Sequence, residues 1–177
     1  KSGRDEEGWT VGMACENVEV RNCHVKHAHG GIAIGSEMSG NVRNVYVHDC
    51  LFENTDSGAV HIKSKPGRGG KVENVVIENI SVKEIQSHCI RLTLRYGGER
   101  FERDKNYETT QRLPRFENIQ IKNIQCEKAN KAVEVYGLPD SLIQNLALSE
   151  ITVTAKRGID ACDFSNMSMK NITVKSL

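Results

Sequence analysis

Three things are missing from this 177-residue chain, and each absence closes off a class of function. No block of like charges occurs: 24 Lys and Arg face 23 Asp and Glu, a formal net charge of +1, so the basic footprint of a nucleic-acid binder is absent. No apolar run approaches the length of a membrane span, and the opening KSGRDEEGW is too charged for a signal peptide. No Cys-x-x-Cys pair occurs among the six cysteines, which leaves a zinc site with little support. What remains is a composition ordinary for one globular domain, 38% hydrophobic and 27% charged.

What the chain does have is a repeat. The pattern Asn, apolar, any, apolar, any, Asn/Asp/Glu, then Ile or Cys occurs six times: NVEVRNC from Asn17, NVYVHDC from Asn44, NVVIENI from Asn74, NIQIKNI from Asn118, NLALSEI from Asn145 and NMSMKNI from Asn166. Successive copies lie about 20 to 30 residues apart, the period of a solenoid, except between Asn74 and Asn118, where a charged loop insertion over residues 97–115 intervenes. A second strand follows in each of the first five copies: GIAIG, AVHIK, CIRLT, AVEVY and GIDAC. Its apolar residues alternate with period two, Ile32, Val60, Ile90, Val133 and Ile159 at one inward position and Ile34, Ile62, Leu92, Val135 and Ala161 at the next. Strands repeating in one direction pair in parallel between coils about 4.8 Å apart. The expected fold is all-β, a parallel β-helix of about six coils built without helices.

The repeat also gives its polar and sulfur residues structural work. Asn22, Asp49, Asn79, Asn123, Glu150 and Asn171 share one position, where side chains can bond backbone or the next coil at a bend. Cys23 and Cys50 stand where other coils carry Ile80, Ile124, Ile151 and Ile172, and Cys126 stands with Val82 and Val153, so these cysteines read as small core hydrophobes. In-register neighbours about 4.8 Å apart are also poorly placed for a disulfide, whose Cβ atoms sit about 3.8 Å apart. The final coil closes its pattern almost completely, whereas KSG reads as the end of a strand. The expectation is a C-terminal part of a longer β-helix, with N-terminal coils missing and an uncapped first coil through which copies could self-associate.

Function should then lie on the outward face of the second strand. Ala33, His61, Arg91, Glu134 and Asp160 share one outward position, and Gly35, Lys63, Thr93, Tyr136 and Cys162 share the next. His29 precedes this strand in the first coil, and Arg95 and Tyr96 follow it in the third. A cationic and aromatic patch of this kind suits an extended anionic ligand.

At this point the segments KSGRDEEGW, ENVEVRNC, AHGGIAIGSEMSG, VRNVYVHDC and HIKSKPGRGG resemble consecutive stretches of glycoside hydrolase family 28, the polygalacturonases and related pectin hydrolases. The resemblance implies a right-handed, pectin-lyase-like β-helix that hydrolyses α-1,4 galacturonosyl or related rhamnogalacturonan linkages with inversion, without metal or other cofactor, in a secreted, periplasmic or cell-wall setting. It assigns His29 an auxiliary catalytic role beside aspartates that the family carries in coils before this one, so the chain alone is expected to be inactive. It assigns substrate binding to His61 and Lys63, which occupy an Arg-x-Lys motif with histidine in the arginine's place, and to Tyr96; Arg91 joins them on the ladder. The histidine would offer one donor and a partial charge at neutral pH instead of a guanidinium fork.

The implied partner is a pectic polysaccharide or oligogalacturonide, with neither nucleic acid nor membrane. Asp56, in NTDSG, reads as a turn residue, and Asp5, Glu6 and Glu7 read as a loop, since inversion needs carboxyls about 6.5 to 9.5 Å apart across the sugar. The alternative is a non-catalytic β-helix module that binds acidic polysaccharide. A lyase on the same fold would need clustered carboxylates for calcium, and none is evident.

Overall fold

A computed structural model describes residues 1–97 and 112–177; most of the expected 97–115 insertion lies outside the described residues. The described chain is almost entirely strand. The first coil comprises β1 (Cys15–Arg21), β2 (His24–Lys26) and β3 (Ile32–Gly35). The second comprises β4 (Val42–Glu53) and β5 (Gly58–Lys63), and the third β6 (Lys71–Val82) and β7 (His88–Thr93). In the fourth and fifth, single strands β8 (Arg115–Tyr136) and β9 (Ile143–Cys162) run the length of both faces, and β10 (Phe164–Ser176) closes the stack. All ten pair in parallel within one sheet. This is the parallel β-helix that the repeat predicts.

The register stacks like on like. Val18, Val45, Val75, Ile119, Leu146 and Met167 form one inward column, and Cys50, Ile80, Ile124, Ile151 and Ile172 another. Cys50, Cys89 and Cys126 are buried, as their core positions require, and all six cysteines are free thiols. Cys23 differs in being exposed, because its coil is covered from one side only. The same end effect leaves Ile159, Met169 and Val174 partly open at the last coils.

Two asparagine ladders mark the bends. Asn44 donates through Nδ2 to Asn17 at 3.0 Å, Asn74 to Asn44 at 3.2 Å, Asn118 to Asn74 at 3.3 Å, Asn145 to Asn118 at 2.8 Å and Asn166 to Asn145 at 2.6 Å. The second ladder runs Asn79 to Asp49 at 3.0 Å and Asn123 to Asn79 at 2.8 Å. Every one of these residues has left-handed backbone, Asn79 at φ 56, which asparagine tolerates better than other side chains. Thus the recurring Asn turns the chain and ties each turn to the next. Asn79→Ala, which loses both functions, is expected to lower unfolding stability by about 2 kcal/mol in urea denaturation, with Asn79→Gly recovering about half.

One element departs from the all-strand expectation. Residues Asp5–Val11 form a short helix, α1, where the sequence reads as loop. Its acidic first turn suits a helix N-terminus and Gly12 ends it in left-handed conformation, φ 62. Tertiary contacts hold it: Asp5 Oδ1 accepts from Arg68 Nη1 at 2.7 Å, and Trp9 Nε1 donates to the Arg68 carbonyl at 2.8 Å. No helix among the described residues is long and apolar enough to cross a membrane.

Candidate ligand-binding face

The columns expected on the second strand form. Ala33 pairs with His61, His61 with Arg91, Arg91 with Glu134 and Glu134 with Asp160; beside them run Gly35, Lys63, Thr93, Tyr136 and Cys162. The glycines of HGGIAIG make the first step of this face possible. A Cβ at Gly31 would lie 2.3 Å from the Phe52 ring, and one at Gly35, whose φ is +88, would lie 2.0 Å from the Lys63 carbonyl oxygen. The motif therefore lets β3 approach β5 closely beneath Lys63.

Lys63 and Tyr96 come together. The Lys63 ammonium lies 4.6 Å from the centre of the Tyr96 ring, a cation–π geometry, and Tyr96 is 38% exposed. The Tyr96 backbone donates to the Ser64 carbonyl at 2.9 Å, which fixes the ring over the neighbouring coil. His61 packs its ring edge toward Tyr96, centroids 6.4 Å apart, but is itself only 4% exposed. Its Nδ1 meets Ser57 Oγ at 3.1 Å, whereas its Nε2 is buried without a hydrogen-bond partner among the described residues. Burial, reinforced by the nearby charges of Lys63, Arg91 and His88, pushes its pKa down to about 3. His61 is thus neutral at pH 7, where its sequence position alone would leave it partly charged.

Arg91 is the next member of the column. Its Nε lies 2.7 Å from Glu134 Oε1, an ion pair without hydrogen-bonding alignment, and its side chain stays 29% exposed. Glu134 Oε2 also accepts from Lys131 Nζ at 2.9 Å and meets His88 Nε2 at 3.2 Å. Burial raises the Glu134 pKa, but the bonds from His88 and Lys131 and the Arg91 charge outweigh it and hold the carboxyl at about 2. Lys131 reaches on to Asp160 Oδ2 at 3.1 Å, which also accepts from the Tyr136 hydroxyl. Arg95 stays on this face further up the stack: its guanidinium lies 5.1 Å from the centre of the Tyr136 ring, and it donates to the Gly137 carbonyl at 2.8 Å and pairs with Asp163.

His29 lies exposed just ahead of β3, with its carbonyl accepting from Ser57 N at 2.7 Å. Asp56 sits exposed in the bend before β5, in keeping with a turn role. The residues that sequence reasoning left out are His88 and Lys131. They are register partners at the start of the second strand, so the ladder one step earlier contained the signal. Among the described residues no cluster of three metal-ligating side chains occurs. A cavity of about 420 Å³ lies at the end of the stack, lined by Lys1, Glu7, Val11 and Met13 among others, and shares no lining residue with the Lys63 face.

Known proteins agree with this architecture. A probable polygalacturonase of Vitis vinifera is 28% identical over 86% of the chain, and an exo-poly-alpha-D-galacturonosidase of Dickeya chrysanthemi is 23% identical over 97%. The chain spans only 30% and 31% of the length of these two relatives. The crystal structure of a hyperthermoactive exopolygalacturonase from Thermotoga maritima superposes with a TM-score of 0.84 at 30% identity, covering 99% of this chain and 38% of the other. Residues 7–176 match the model of glycosyl hydrolases family 28, and with coils, columns and close-approach glycines all in place the chain belongs to that family.

Proposed function

We propose that this chain forms the substrate-holding face of a pectin hydrolase that cleaves galacturonosyl or related rhamnogalacturonan linkages by inversion, acting on pectic polysaccharide outside the cytoplasm. The observation that carries this reading is the Lys63 ammonium poised over the exposed Tyr96 ring. A sugar acid presents an apolar ring face and a carboxylate, and an aromatic plane beside a cation meets both.

Inverting hydrolysis needs one carboxyl that keeps its proton to protonate the leaving oxygen and another that activates water. The two carboxyls of the column do the opposite of the first task. Glu134 is held near pKa 2, and Asp160 is lowered by hydrogen bonds from Tyr136 and Lys131. Neither can serve as a general acid at neutral pH, which supports the reading that this face holds substrate and that His29 assists chemistry done by other carboxylates. This same observation favours the second reading, an acidic-glycan-binding module without turnover.

Titration of the chain with trigalacturonate, followed by calorimetry, tests the assignment. The wild type is expected to bind, Lys63→Met to weaken binding about tenfold or more, and a neutral trisaccharide to bind negligibly. Equal binding of the neutral and acidic trisaccharides would overturn the reading. Reducing-end release from polygalacturonate separates the two readings: none is expected from this chain, and turnover would direct attention to Asp5, Glu6, Glu7 and Asp56.

A further inference from the structure

Binding by Lys63 and Tyr96 leaves unexplained why a buried carboxylate with three basic partners lies beside them. Glu134 contacts Lys131, His88 and Arg91, and its side chain is 7% exposed. Buried ionic groups are costly to desolvate, and hydrophobic residues of similar size would often serve stability as well. The cluster is nevertheless held firmly: His88 Nδ1 meets Ser87 Oγ at 2.6 Å, and Lys131 is braced from the far side by Asp160.

Its geometry acts on Arg91. The guanidinium approaches Glu134 by Nε, which is itself buried, while the side chain as a whole remains partly open. Among the described residues neither Nη atom of Arg91 has a hydrogen-bond partner. An arginine anchored through Nε keeps its outer pair of Nη donors free as a planar fork, the arrangement that matches a carboxylate. One coil below on the same column stands His61, which is buried and neutral and cannot supply a second charge.

We propose that Glu134 is a positioning residue: held by Lys131 and His88, it anchors Arg91 through Nε so that the Nη fork forms a second carboxylate clamp one coil beyond Lys63. The proposal rests on the sugar-acid reading of the face. It makes the ligand an acidic oligosaccharide gripped at two points, with the guanidinium displaced by one coil from the position that His61 occupies.

A double-mutant cycle measured by trigalacturonate titration tests it. Arg91→Ala and Glu134→Gln are each expected to weaken binding about tenfold, and the double variant to bind no more weakly than either. Arg91→Lys, which keeps the charge but loses the fork, should bind as weakly as Arg91→Ala. If Glu134→Gln weakens binding as much in the Arg91→Ala background as in the wild type, or has no effect in the wild type, Glu134 does not act through Arg91 and the proposal fails. If the wild type itself does not bind, the sugar-acid reading falls, and this proposal with it. Should Glu134→Gln not fold, as judged by circular dichroism, the wild-type protein still decides. The Arg91 Nε proton, identified by its loss in Arg91→Lys, should exchange slowly with solvent and shift on adding trigalacturonate, and a signal that exchanges rapidly or fails to shift overturns the assignment.

Discussion

Replacing Gly35 with alanine is expected to cost at least about 3 kcal/mol of unfolding stability and to abolish trigalacturonate binding. Two effects combine. The backbone at φ +88 is one that L side chains rarely adopt, and the new Cβ would lie 2.0 Å from the Lys63 carbonyl oxygen and 3.1 Å from its carbon. Neither partner can yield cheaply, because Gly35 and Lys63 are register partners in the ladder between β3 and β5. Relief of the clash must therefore displace the strand that carries Lys63. Gly158→Ala is the control: a Cβ there meets nothing within 4 Å, so its unfolding stability in urea should lie within about 0.5 kcal/mol of wild type or slightly above it. Similar midpoints for the two variants would show that β3 and β5 do not approach as closely as described.

Acidification is expected to destabilise the fold through His61. The unfolded histidine takes up a proton near pH 6.5, whereas the folded one stays neutral down to about pH 3. In that window the unfolded state holds more protons, so stability rises with pH and is lost on acidification, by about 1.4 kcal/mol per pH unit and about 5 kcal/mol in all. His61→Gln carries no titrating group and should flatten the profile. Glu134 acts with the same sign but lower: its depressed folded pKa of about 2 gives stability that is complete above the unfolded value near 4.3 and lost as pH falls through 2. Comparing wild type and His61→Gln between about pH 6.5 and pH 4.5 therefore isolates the histidine. His48, whose pKa is raised by the hydrogen bonds it donates to Asp49 and Glu19, contributes stability below pH 6.5 that fades as pH rises through its folded value, and being common to both proteins it cancels. Parallel profiles would mean that His61 is solvated.

How much was legible in the sequence differs from element to element. The columns through Val45 and Val75, and those through His61 and Arg91, were readable because strand alternation and the coil repeat are periodic, and periodicity fixes which residues align. The Asn79 ladder was readable for the same reason, although its left-handed backbone was not, and the Asn118 position was legible only as the start of the repeat. Helix α1 was not legible: seven residues give too short a pattern, and its hold on Arg68 spans 63 residues of chain.

On the site, the sequence by itself determined that Lys63 and Arg91 lie on neighbouring coils of one face, since in-register stacking leaves them no other place, and that Tyr96 follows the strand of Arg91. Only the tertiary structure decided their chemical state. That His61 is neutral, that Glu134 keeps its charge and that Arg91 is held by its inner edge all depend on which groups are stripped of water and which charges come within a few ångströms. Desolvation and Coulomb energy are set by distances across coils, and no local pattern of residues encodes those distances.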